Sequence, residues 1–185
     1  MSSTPPPAIP TAIQAVIDRI DRQGDTALLP GRDTPLDRFG DLLRRLFPEY
    51  GVLNLTDFQY GRSWQYLIAL SSHPDAVALD RVPHARAVQA AGGIESVFLD
   101  LSAVAPYVLF RFVRYQPAGD RALARWSDVP LSAAQETLLQ QLMVHLAAEG
   151  FTRLEQRVAD LPVPDVTTEL CDEGDATVGS CLFYG

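Results

Sequence analysis

The chain reads as an α+β domain, a mostly antiparallel sheet with amphipathic helices packed on one face and a C-terminal hairpin. Three observations predict it. Apolar stripes of helical period open on capping residues. Two runs near the middle of the chain alternate with period two and are joined by a short turn. The last stretch, "ELCDEGDATVGSCLFYG", sets an acidic, glycine-containing loop between apolar segments.

Taken in order, Met1 to Pro10 holds Pro5, Pro6, Pro7 and Pro10. That favours extended backbone, so residues 1–10 are expected to be a flexible leader and 11–185 a single domain. Thr11 to Gln14 fits a capping box, followed by Ile13, Val16, Ile17 and Ile20 on one stripe up to Gly24. Thr34 then Pro35 signal a second helix, with Leu36, Phe39, Leu42, Leu43, Leu46 and Phe47 as its stripe and Pro48 as its stop. "WQYLIAL" (64–70) is a short apolar, aromatic-rich run suited to a buried strand. Pro83 permits a short helix over His84 to Ala91, ended by Gly92-Gly93.

"IESVFLDL" (94–101) puts Val97, Leu99 and Leu101 on one side and Phe98 and Asp100 on the other. "YVLFRFVRY" (107–115) puts Val108, Phe110 and Phe112 on one side, with Leu109, Arg111 and Val113 opposite, and Ser102 to Pro106 allow a hairpin between the two. Pro117 to Asp120 reads as the loop that ends the strand. Ser132 to Gln135 opens the longest helix, with Leu138, Leu139, Leu142, Met143 and Leu146 on one face and Gly150 past its end. If Asp172 to Asp175 is the loop of the terminal hairpin, Cys171 faces Ala176 and Cys181 faces Val166. The two sulfurs would then lie roughly 17 Å apart along the ladder, too far for a disulfide.

Composition narrows the chemistry. The 185 residues are 47% hydrophobic and 21% charged, as in an ordinary globular protein. All fifteen basic residues are arginine, which excludes a phosphate-loop lysine, a Schiff-base lysine and a lysine general base. His73, His84 and His145 and the two cysteines show no metal-ligand spacing. Asp172, Glu173 and Asp175 lack the ligand pattern of a calcium loop. Gly179-Ser180-Cys181 lacks the frame of a nucleophile elbow, and Gly92-Gly93 lacks phosphate-loop spacing. No catalytic residue and no cofactor are expected. The leader has neither a basic nor an apolar signal region and no run approaches membrane length, so the sequence suggests a cytoplasmic protein without a membrane partner.

The net charge of −8 repels a phosphate backbone, so nucleic acid is not an expected partner. The charge is unevenly spread. After Arg157 the remaining 28 residues hold Asp160, Asp165, Glu169, Asp172, Glu173 and Asp175 and no base. Such a surface steers a basic partner over about 8 Å at physiological salt. The functional expectation is a non-enzymatic protein-binding module offering these six acids to a basic protein. In acidity and in lacking a catalytic signature it resembles, as a class and not by motif, the small immunity proteins that neutralise basic bacterial toxins. The alternative expectation is a small-molecule sensor or small enzyme with a pocket between helices and sheet, using a histidine or buried acid with an arginine such as Arg111 as anion clamp. Oligomeric state is not legible in the chain.

Overall fold

The computed structural model describes residues 8–31, 33–72, 85–168, 171 and 174–184. Strands β1 (Gly51–Asn54), β2 (Ser63–Ala69), β3 (Ile94–Ser102), β4 (Tyr107–Ala118) and β5 (Arg121–Ser127) form an antiparallel sheet in the order β1-β2-β3-β4-β5. A short β6 (Thr152–Arg153) runs parallel to the start of β4. The helices are α1 (Thr11–Ile17), α2 (Gly40–Leu46), α3 (Ala85–Ala91), α4 (Ala133–Ala148) and α5 (Gln156–Ala159). The α+β class is as expected. None of the described helices is long and apolar enough to cross a membrane.

The alternation in 94–101 and 107–115 sets the centre of the fold. Ile94 pairs with Tyr115 and Leu101 with Val108, so Val97, Leu99, Leu101, Val108, Phe110 and Phe112 share one face. On that face α2 contributes Leu43, followed by Phe47, and α4 contributes Leu138, Leu139, Leu142 and Leu146, closing the largest apolar cluster with Trp64, Tyr66 and Ile68 of β2. The longest helix begins where its cap predicts: the Ser132 hydroxyl accepts from Gln135 N–H at 3.2 Å. Gly150 follows it with φ +88°, a left-handed terminus that favours glycine.

The helices are not confined to that face. Residues Ala87 and Val88 of α3 pack with Ala69, Val113 and Tyr115 at one end of the opposite face. Ile13 and Ile17 of α1 join Leu109 and the C-terminal segment at the other end. Of the expected leader, residues 1–7 lie outside the described residues, and Ile9 packs against this second cluster.

Four local expectations change. Thr11 is inside α1 and caps nothing: the Pro10 carbonyl accepts from Ile13 and Gln14 N–H at 2.9 and 3.0 Å, and α1 continues into a π-helical turn over Asp18–Arg22. The second helix starts at Gly40, not beside Pro35. Tertiary bonds claim the intervening residues, with Trp64 Nε1 donating to Pro35 O at 2.7 Å and Phe39 N–H donating to the Tyr66 hydroxyl at 3.1 Å. Pro117 does not end β4; the strand runs to Ala118 and turns at Gly119-Asp120 into β5. Gly119, at φ +62°, supplies the positive φ that a two-residue hairpin needs at its first central position. Within the expected helix 84–91, α3 spans Ala85–Ala91, and His84 lies outside the described residues.

The fourth change concerns the C-terminus. The chain does fold back, but among the described residues through two isolated bridges in one register, Pro162↔Thr177 and Thr168↔Cys171, the first flanked by Val163 N–H to Ala176 O at 2.8 Å and Val178 N–H to Leu161 O at 2.9 Å. Cys171 bridges Thr168 rather than facing Ala176. The expected second strand is a π-helical turn, Ser180–Tyr184. Thr177 and Ser180 start it reciprocally, Thr177 N–H donating to Ser180 Oγ at 2.8 Å and Ser180 N–H to Thr177 Oγ1 at 3.2 Å. Helix-type capping of this kind competes with a strand ladder. Both cysteines are free thiols.

Candidate functional site

The terminal turn is seated on the sheet by its own backbone. Ser63 Oγ donates to Phe183 O at 3.0 Å, Ser102 Oγ to Leu182 O at 2.8 Å, and Arg62 N–H to Phe183 O at 2.9 Å. Ser63 and Ser102 face each other across β2 and β3, so small hydroxyls at one register position let the turn approach closely. Beneath it Arg62 Nη1 bonds Asp21 Oδ1 at 2.8 Å and Cys181 O at 3.0 Å. Burial, reinforced by the Asp21 carboxylate, pushes the Cys181 thiol up to about 12, which makes it a packing group and not a nucleophile.

Beyond the turn the same face carries the most unusual cluster. Asp100, 2% exposed, accepts from Arg111 Nη2 at 3.0 Å and from the Tyr184 hydroxyl at 3.2 Å. Phe98 pairs with Arg111 and Asp100 with Leu109, so the ion pair is a diagonal neighbour contact between adjacent strands. The Arg111 guanidinium carbon lies 5.8 to 6.0 Å from the ring centres of Phe98, Trp126 and Tyr184. Burial lifts the Asp100 carboxyl above its ordinary range, opposed by Arg111 and Tyr184. Burial also raises the Tyr184 hydroxyl, which keeps it a donor at any working pH. A shallow, open depression of about 240 Å³ adjoins the cluster, lined by Arg111, Trp126, Ser127, Asp128 and Gln156.

The acids singled out from the sequence are placed as follows. Asp160, Asp165 and Asp175 are exposed; Glu169, Asp172 and Glu173 lie outside the described residues. Asp165 and Asp175 lie on the two arms of the fold-back between its bridges Pro162↔Thr177 and Thr168↔Cys171, and Asp160 lies two residues before the first of these. Asp160 Oδ1 accepts from Gln156 Nε2 at 2.7 Å. Asp165 holds a positive φ of 60°, which aspartate tolerates better than most residues. Several arginines are paired elsewhere, among them Arg19 with Asp25, Arg44 with Asp37, Arg62 with Asp21, Arg114 with Glu95 and Arg157 with Glu155; Arg22 pairs with Asp18 and donates from Nη2 to Pro164 O at 3.0 Å, next to Asp165. His145 is exposed on α4, and His73 and His84 lie outside the described residues, so no histidine joins Arg111 in what is described. Reading the residues had not found Asp100 or Tyr184 as members of a cluster. The available signal was an acid on an otherwise apolar strand, with an arginine on the matching face of its neighbour. Comparison of the chain with protein-family models, with curated proteins and with solved structures gives no match in any of the three, so the functional reading rests on the residues themselves.

Proposed function

We propose that this is a non-enzymatic, cytoplasmic protein-binding module that offers its C-terminal acidic surface to a basic protein. One observation supports the reading above others: Asp160, Asp165 and Asp175 face solvent in one C-terminal stretch with no arginine ion pair among the described residues, while Asp18, Asp21, Asp25, Asp37, Asp41, Glu95, Asp100 and Glu155 are matched by the chain's own guanidinium groups. Exposed carboxylates without an internal cation leave their field uncancelled and act mainly on encounter with a cationic surface. The test is capture of bound proteins from the native cell, followed by association kinetics with the triple variant D160N/D165N/D175N. The variant should associate about tenfold more slowly and with a flatter dependence on salt. A captured partner whose association rate ignores both the triple change and salt would end this reading.

A second reading has the Asp100, Arg111 and Tyr184 cluster in its favour. Arg111 is 38% exposed beside an open depression while its carboxylate partner is buried, so a small acid or amide could dock against the guanidinium and the Trp126 ring. A thermal-shift screen of small carboxylic acids and carboxamides on wild type and Arg111→Met separates the readings: stabilisation of the wild type alone supports the pocket.

A further inference from the structure

We infer that the outer edge of β5 is a self-association surface, on which a second copy of this chain pairs antiparallel about Ala124. Going beyond the acidic surface, the inference rests on the sequence and register of one strand. Among the described residues β5 is the last strand of the sheet, and no backbone group outside β4 bonds to it. An unpaired edge is a template for another strand. The Gly119-Asp120 turn makes Ala118 and Arg121 the closing pair, so alternate residues Arg121, Leu123, Arg125 and Ser127 point their N–H and C=O groups to β4. Those of Ala122, Ala124 and Trp126 point outward. Pro117 opposite Ala122 agrees, because proline has no N–H to give at a hydrogen-bonded position.

The strand "RALARWS" is self-complementary in one register. With Ala124 opposite Ala124 of the second copy, Ala122 meets Trp126, and all three outward-facing residues of each edge find partners. In the same register Arg125 meets Leu123 and Arg121 meets Ser127. Shifting to either adjacent register that keeps the outward groups opposed sets Arg125 against Arg125 or Arg121 against Arg125, with like charges directly opposite. The arginines that would otherwise blunt an edge therefore select one pairing. Antiparallel pairing of identical strands closes on a two-fold axis, so assembly stops at a dimer. It would also cover Leu123 and Trp126, which are 63% and 50% exposed. The small side chains of Ala122 and Ala124 leave the approach clear, and each Trp126 ring would lie beside the other copy's Ala122.

The test is sedimentation equilibrium of the full chain over a concentration series reaching about 100 μM, a range that detects even weak association. Wild type should be dimeric at the upper end. Ala124→Pro, which removes an outward N–H and no bond to β4, and Ala124→Glu, which sets two carboxylates face to face, should each weaken the dimer at least about tenfold. The glutamate variant decides if the proline variant does not fold. Register is read in a Cys171→Ser background: a mixture of Leu123→Cys and Arg125→Cys proteins should cross-link under oxidation far better than either alone. A monomer throughout the series, a dimer indifferent to Ala124→Glu, or either cysteine variant cross-linking alone as well as the mixture overturns the inference.

Discussion

The two faces of the sheet are covered by different means. Under α2 and α4, β2 to β4 present side chains such as Ile68, Val97, Leu99, Phe110 and Phe112, and the covering helices answer with leucines. On the opposite face the residues at matching positions include Ser63, Ser96, Asp100, Ser102 and Arg111. There, between α1 and α3, the segment over Ser63 and Ser102 is a terminal turn tied by its carbonyls. Apolar packing contributes free energy in proportion to area without fixing a unique arrangement. Buried hydrogen bonds contribute less net energy but leave orphaned groups if the segment shifts. The first face therefore accounts for most of the stability, and the second sets where the chain's last turn must sit.

That division can be broken in four ways. The largest expected effect is on the apolar face, where Phe110→Ala should cost about 3–5 kcal/mol, read from urea or guanidinium unfolding; a loss below about 1 kcal/mol would mean this face is not the main source of stability. Ser102→Ala leaves Leu182 O and the nearby Val104 and Ala105 N–H groups without the hydroxyl that serves them. It should cost about 1–3 kcal/mol and make the C-terminal turn the first region to exchange its amides. Uniform exchange in that variant would show that the tether does not position the turn. Ser132→Ala should cost about 1 kcal/mol through the lost cap of α4, measured in the same way. The smallest effect is one of slope. Because the folded state holds the Asp100 proton more tightly than the ordinary 3.8, the wild type loses stability from this group as pH rises above that value. Asp100→Asn does not titrate, so it should gain on the wild type between pH 4 and pH 7. If it falls behind instead, Arg111 outweighs burial at this site.

The legible parts of the fold were those in which one signal acted alone. Period-two alternation in 94–101 and 107–115 specified both strands and the face each residue occupies, and Ser132 with the leucine stripe specified α4. The α2 entry misled because bonds to Trp64 and Tyr66, distant in sequence, overrode a local cap. β5 is not legible because Pro117 signals the end of a strand, whereas a proline at a non-hydrogen-bonded position of the pair costs the ladder nothing. The terminal segment is buried on all sides from Val178 to Phe183, so it shows no periodicity to separate turn from strand. The spacing of Thr177 and Ser180 was its only helical sign. Of the candidate sites, the exposed acids were readable from charge alone, while Asp100 with Arg111 required the register of two strands.

The chain's two tryptophans fall on opposite sides of this architecture. Trp64 lies sealed within the apolar cluster at 5% exposure, and Trp126 lies half open at the sheet edge beside Arg111. Intrinsic fluorescence therefore has two separable emitters: a blue-shifted one shielded from acrylamide and a red-shifted one that the quencher reaches. Loss of the first should report unfolding, and a change confined to the second should report an event at the edge with the core intact, without any added label.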